Sequence, residues 1–164
     1  MDTQTKANFT KDVANKKITV VKELPADINK VWAAYADHNL LDQWWAPKPW
    51  EAATKEFNFT EGGRWLYAMV GPDGERQWSK MDFQTINAPN EFSGIDAFTD
   101  KDGITDKSMP SIQWHNRFED HGDHTLLTVE LQFDSEEDMK KILDTGFEQG
   151  FSMGLDNLAE LLSA

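Results

Sequence analysis

The sequence predicts an α+β fold in which a curved antiparallel sheet of six to seven strands wraps around a long C-terminal helix. Three observations predict it. Between Glu51 and Phe133, short runs of alternating apolar and polar residues recur between turn residues, the pattern of an antiparallel meander with one buried face. From Met139 to Leu162, apolar residues repeat at three- and four-residue spacing, the stripe of an amphipathic helix. Between the first strand-like run and the meander lie two short helical stripes that end in the adjacent pair Trp44-Trp45, in a chain with seven tryptophans among 164 residues. Elements of this kind bury their apolar faces together only if the sheet curls around the helix.

Residues 1–16 are polar, anchored by Phe9 and Val13, and read as a flexible lead-in able to hold one helical turn. Residues 17–164 form the single domain. Ile18-Thr19-Val20-Val21-Lys22-Glu23-Leu24 is β-branched and alternating, hence a strand, and Pro25 ends it. Asp27 is a helix N-cap, followed by Ile28, Val31, Trp32 and Tyr35 on one face. Asp37-His38 interrupts that stripe. Leu40, Leu41, Trp44 and Trp45 then form a second short helix, terminated by Pro47 and Pro49.

Six strands fit the meander. Phe57 and Phe59 alternate with polar neighbours, and Glu61-Gly62-Gly63 turns the chain into Trp65, Tyr67 and Met69. Gly71-Pro72-Asp73-Gly74 leads to a strand around Trp78 to Ile86, and Asn87-Ala88-Pro89-Asn90 precedes another from Phe92 to Phe98. After a polar loop, Ile112, Trp114, Asn116 and Phe118 share a strand face, and Asp120-His121-Gly122-Asp123 hands over to Leu127, Val129, Leu131 and Phe133. Ser135-Glu136-Glu137-Asp138 is a capped start with acidic residues where the helix dipole favours them. The helix is then predicted to run on nearly to the end. Gly146, Gly150 and Gly154, every fourth residue, cost it about 1 kcal/mol each against alanine, so a close approach or a bend must compensate.

Composition narrows the function. Sixteen basic against twenty-nine acidic residues give a net charge of −13, a field that repels nucleic-acid phosphates and anionic membrane surfaces. No apolar run approaches membrane-spanning or signal-peptide length, so insertion and export are not expected and a cytoplasmic protein is the simplest case. The absence of cysteine removes disulfides, thiolate metal sites and thiol catalysis together. His121 and His124 sit on a polar hairpin turn, His115 alternates with inward Trp114, and no helical His pair at four-residue spacing exists, so neither a metal nor any other cofactor is predicted. His38 is the one histidine placed to stand at a cavity mouth. Nucleophile elbow, phosphate loop and dinucleotide fingerprint are all missing, since the glycines belong to turns.

Four local motifs, in order across residues 17–163, carry a resemblance. They are Leu24-Pro25-Ala26-Asp27 with Val31-Trp32, then Trp44-Trp45-Ala46-Pro47, then Glu61-Gly62-Gly63-Arg64-Trp65 leading to Gly71-Pro72-Asp73-Gly74, and finally Gly150-Phe151 followed by Leu155, Leu158 and Leu162. On these the chain resembles the helix-grip domains of the START-like SRPBCC superfamily, and within it the family similar to the C-terminal domain of the heat-shock-protein-90 ATPase activator. Phe151 stands where that pattern commonly has tryptophan. Asp82, Gln84, Asp96 and Asn116 stand where relatives look more apolar, which implies a more polar cavity.

Period-two alternation turns Phe57, Trp65, Tyr67, Met69, Trp114, Phe118, Val129 and Leu131 inward, to meet Phe147 and Phe151 of the helix. Core packing accounts for any one of them; the resemblance implies that the set walls an elongated apolar cavity, open near the second helix and its tryptophan pair. Trp44 and Trp45 are candidates for a gate over its mouth. Adjacent residues on a short helix cannot point the same way, so one ring is expected in the core and the other partly exposed. Tyr67, Asp96 and Asn116 are the inward polar groups, although backbone partners or a rim position would satisfy them equally. Arg64 is expected in a surface ion pair.

The resemblance implies a non-catalytic domain that binds a small hydrophobic or aromatic molecule, as a monomer or homodimer. Two alternatives stand beside it. One is a chaperone-associated module of the stress response, acting through its surface. The other is an enzyme like the polyketide cyclases and aromatases, for which at least two of Tyr67, Asp96 and Asn116 must converge inside one cavity.

Overall fold

A β-branched strand exposes hydrogen-bonding groups on both edges, and in the computed structural model, which describes residues 6–164, the first such run finds a partner on each. β2 (Lys17–Leu24) buries Ile18, Val20, Lys22 and Leu24 on one face. On one edge it pairs with β1 (Asn8–Asp12), Phe9 opposite Val20, and on the other with β8 (Thr125–Gln132), Ile18 opposite Leu131. The segment Asn8–Asp12 is therefore an edge strand, where the composition suggests a flexible lead-in. Only Phe9 in it is even half-buried, with its ring 6.3 Å from that of Phe151, so alternation could not reveal the strand. The remainder of the expected lead-in before residue 6 lies outside the described residues.

α1 (Ile28–Ala36) begins where the Asp27 carboxylate accepts from the backbone N–H groups of Asn29 and Lys30, at 3.0 and 3.1 Å, and it buries Ile28, Val31, Ala34 and Tyr35. α2 (His38–Trp44) is capped by Asp37 and stops short of Pro47. β3 (Glu51–Phe57), β4 (Arg64–Val70), β5 (Arg76–Asn87), β6 (Glu91–Thr99), β7 (Ile112–Asp120) and β8 make the meander. The sheet order is β1-β2-β8-β7-β6-β5-β4-β3, all antiparallel. Its eight strands are the seven read from alternation plus β1. The segment carrying α1 and α2 thus links strands near opposite ends of the sheet.

The predicted single C-terminal helix is two, α3 (Glu136–Asp144) and α4 (Phe147–Leu162). Between them the Thr145 hydroxyl donates to the Ile142 carbonyl at 2.6 Å, and Gly146 takes φ 86°, a left-handed conformation that glycine adopts at little cost. The apolar spacing runs straight through this break because both helices face the same core. Gly154 explains another glycine of the series. A Cβ there would lie 3.0 Å from the carbonyl oxygen of Trp45, a tight contact, so glycine eases the close packing of α4 against the end of α2. Nearby, the Asn157 amide donates to the Ala46 carbonyl at 3.1 Å, and the buried stem of Lys22 carries its ammonium to within 3.4 Å of Asp156.

Candidate functional site

The end of α2 sends its two indoles in different directions. Trp44 is fully buried; its N–H donates to the Ala34 carbonyl at 3.0 Å and its ring lies 4.9 Å from that of Tyr35. Trp45 is half-buried, with ring centroids 5.3 Å from Trp65, 5.8 Å from Trp114 and 6.1 Å from Phe151, and its N–H donates to the Tyr67 hydroxyl at 3.0 Å. Its ring divides the interior between sheet and helices into two spaces.

One space is almost filled. A void of about 20 Å³ remains there, lined by Tyr35, Leu41, Phe57, Trp65, Phe92 and Asn116 together with Trp45 and four further side chains. α1 and α2 cover this half of the sheet with large rings. Trp32 lies 5.5 Å from both Phe59 and Phe118, and Tyr35 lies 5.0 Å from Phe118.

The other space is a cavity of about 580 Å³ that opens to solvent, inside the range of roughly 300–1,000 Å³ typical of small-molecule sites. Its floor is the inner face of β4 to β7, and its roof is the junction of α3 with α4. Gly146 and Gly150 face it from that roof, beside the rings of Phe147 and Phe151. Trp45 and Pro47 close one side, while Asp106 and Met109 of the loop after β6 stand on another.

Polar groups gather on the floor. Tyr67 of β4 is directly opposite Ser79 of β5, and Asp96 of β6 is opposite Met81 one pleat along the same face. The indole N–H of Trp114 donates to Oδ2 of Asp96 at 2.6 Å. Burial pushes the Asp96 carboxyl up to about 7, which the Trp114 hydrogen bond only partly offsets. Burial, and then the neighbouring Asp96, raise the Tyr67 phenol well above its ordinary range, so it stays neutral. An indole can only donate, so the Tyr67 oxygen accepts from Trp45 and keeps its own proton for Ser79 or a guest.

Of the residues singled out from the sequence, Trp45, Tyr67, Met69, Asp96, Trp114, Phe147 and Phe151 line this cavity. Phe57, Trp65 and Asn116 instead border the small void, and Phe118 packs beneath α1. Strand parity places them inward correctly, but it carries no information on which helix covers each stretch. Trp44 cannot be a gate, because its ring is in the core. Tyr67 and Asp96 share one cavity; Asn116 does not. Asp82 and Gln84 add nothing to the cavity's polarity: Asp82 lies 3.0 Å from Lys80, and Gln84 accepts from Gln113 at 3.4 Å. Arg64 pairs with Glu56 at 2.5 Å on the surface. His38 borders neither space; its Nδ1 is buried and its ring lies 5.9 Å from that of Phe57.

Sequence reasoning missed Ser79, Phe98, Met109, Ile112 and Ile142 as cavity residues. Phe98 had a usable signal, since it shares parity with Asp96. Ser79 could be found only from the β4–β5 register, and Met109 sits in a loop where no periodicity applies. Among the described residues, no cluster of three or more metal-capable side chains forms, and no helix is long and apolar enough to cross a membrane.

Comparison with known proteins places this geometry. Residues 25–163 match the profile of the family described as Activator of Hsp90 ATPase homolog 1-like protein. A solution NMR structure of an Arthrobacter aurescens protein is similar at a TM-score of 0.92, with 32% identity over 97% of this chain and 92% of its own. A Mycobacterium smegmatis crystal structure is similar at 0.90, with 28% identity over 98% of both chains. A Staphylococcus epidermidis NMR structure follows at 0.82, with 29% identity over 95% of this chain and 93% of its own. No curated protein gives a significant match.

Proposed function

The chain belongs to the family of Activator of Hsp90 ATPase homolog 1-like proteins, with a helix-grip fold of the SRPBCC type, and from that premise we propose that it is a non-catalytic binding protein for a small hydrophobic or aromatic molecule. The observation that carries this reading is the cavity of about 580 Å³ between the sheet and the α3–α4 junction, walled by Trp45, Trp114, Phe147 and Phe151. Aromatic walls supply most of the apolar area a ligand would bury, and Tyr67, Ser79 and Asp96 supply the few polar groups that would orient it. A cytoplasmic location and action without a cofactor belong to the same proposal. Native mass spectrometry of protein purified from its own host tests it: a co-purified small molecule, lost when Phe151 is replaced by Asp, is the expected result. A ligand-free protein that also takes up no apolar fluorescent probe would reject the reading.

One observation favours a second reading, an enzyme of the cyclase or aromatase kind. Tyr67 and Asp96 face the same cavity, and a carboxyl poised near 7 beside a neutral phenol has the properties of an acid–base pair. Turnover of an enolisable aromatic polyketide analogue, abolished in Tyr67→Phe, would move the assignment from binding to catalysis.

A further inference from the structure

Asp96 differs from the other carboxylates of this acidic chain in what surrounds it. Oδ2 is held by the Trp114 indole, while Oδ1 has no hydrogen-bond or ionic partner among the described residues. The side chain is half-buried, and it lines the cavity. The titratable and charged groups that share the cavity are Tyr67 from β4, Arg76 at the exposed start of β5, and Asp106 from the loop after β6; α3 and α4 contribute none. Among the described residues Arg76 is the one cation in the lining, and it is exposed. The same cavity is lined by Trp45, Tyr67, Trp114 and Phe151, and aromatic rings of this kind attract positive charge over their faces. The net charge of −13 draws cations toward the molecule as a whole.

We propose that the cavity selects an organic cation, a molecule with a flat apolar body and one protonated amine, with the amine seated on Asp96 and the body against the indoles of Trp45 and Trp114. This rests on the reading of the cavity as a ligand site and adds the chemistry that site prefers. An ammonium at Oδ1 supplies a counter-charge, so the ionised form of Asp96, disfavoured by burial, becomes the favoured one. Binding then requires Asp96 to have lost its proton. Affinity for an amine falls roughly tenfold per pH unit below 7 and levels off above it, whereas affinity for a neutral molecule of the same shape does not follow this curve.

The test is calorimetric titration with matched probes, 2-naphthylmethylamine against 2-naphthylmethanol and 2-phenylethylamine against 2-phenylethanol. At pH 8 the amine of each pair is expected to bind at least tenfold more tightly than its alcohol. The advantage should shrink at pH 5.5 and disappear in Asp96→Asn, whose amide oxygen can still accept from Trp114. A native circular dichroism spectrum and a cooperative melting transition would show that the Asp96→Asn variant is folded. Equal binding of amine and alcohol, or an amine preference that survives Asp96→Asn, overturns the cation proposal and leaves the cavity reading standing. Failure of all four probes to bind at millimolar concentration overturns both.

Discussion

The two halves of the interior have similar amino acids and opposite outcomes. Under α1 and α2, Tyr35, Trp44, Phe92 and Phe118 interlock at centroid distances of 4.9 to 6.2 Å and leave almost no space. Under the α3–α4 junction, Trp45, Trp114 and Phe151 are just as close to one another, yet a cavity of about 580 Å³ opens beside them. Aromatic content does not decide between core and cavity. The covering elements differ: α1 brings Trp32 and Tyr35 down on Phe118 and α2 packs Trp44 on Tyr35, whereas the roof of the cavity alternates Phe147 and Phe151 with Gly146 and Gly150, which carry no side chain to fill it.

If this contrast is correct, the two tryptophans of the pair should respond differently to truncation. Trp44→Ala removes a fully buried ring from a filled half and is expected to cost about 3–5 kcal/mol of stability in denaturant unfolding. Trp45→Ala, which merges the void with a space already open to solvent, should cost distinctly less while weakening binding of an apolar probe. Equal losses would erase the distinction between the halves.

The glycines of α4 sharpen it at a second level. Gly154→Ala forces a Cβ against the Trp45 carbonyl and is expected to destabilise by about 1–3 kcal/mol. Gly150→Ala meets nothing closer than a Pro47 carbon at 3.7 Å, so the propensity gain of alanine should dominate, stabilising the protein by up to about 1 kcal/mol. Parallel unfolding curves for the two variants read the difference directly.

A smaller effect depends on pH. Because the folded-state pKa of Asp96 is raised from 3.8 to about 7, its contribution to stability is fully present below pH 3.8 and is lost as pH rises through about 7. Asp96→Asn, which does not titrate, should therefore melt a few degrees higher than the parent protein at pH 8, with the gap closing toward pH 4. A gap independent of pH would mean that the carboxyl is solvated like an ordinary surface acid. The smallest change is expected in the filled half. The Tyr35 hydroxyl is buried without a partner among the described residues, so Tyr35→Phe should leave stability within about 0.5 kcal/mol or raise it slightly.

These contrasts also mark where sequence reading reaches its limit. Strands β2 to β8, α1, α2 and the start of α3 follow from alternation, helical spacing and caps such as Asp27 and Ser135, because these are local properties of the chain. The fate of an inward ring is not local. Trp65 and Tyr67 share a strand face and stack at 4.0 Å, yet Trp65 borders the filled half and Tyr67 the open one, with Trp45 against both. The break at Gly146 escaped for a related reason: the apolar stripe reports which face is buried, and that face continues across the turn. β1 escaped because its contribution is backbone pairing, which leaves little trace in side-chain pattern.

The sheet order has a consequence for how the molecule assembles. β2 emerges early in the chain but is hydrogen-bonded to β8, with Lys17 opposite Gln132. During synthesis the first strand must therefore wait, unpaired except with β1, until almost the whole domain has left the ribosome. Its apolar face, Ile18, Val20 and Leu24, stays available to chaperones or to misfolding for that entire interval, and folding dominated by such distant pairings is intrinsically slow. The hairpin with β1 gives one edge of β2 a native partner from the outset, leaving only the other edge open to strands of neighbouring nascent chains.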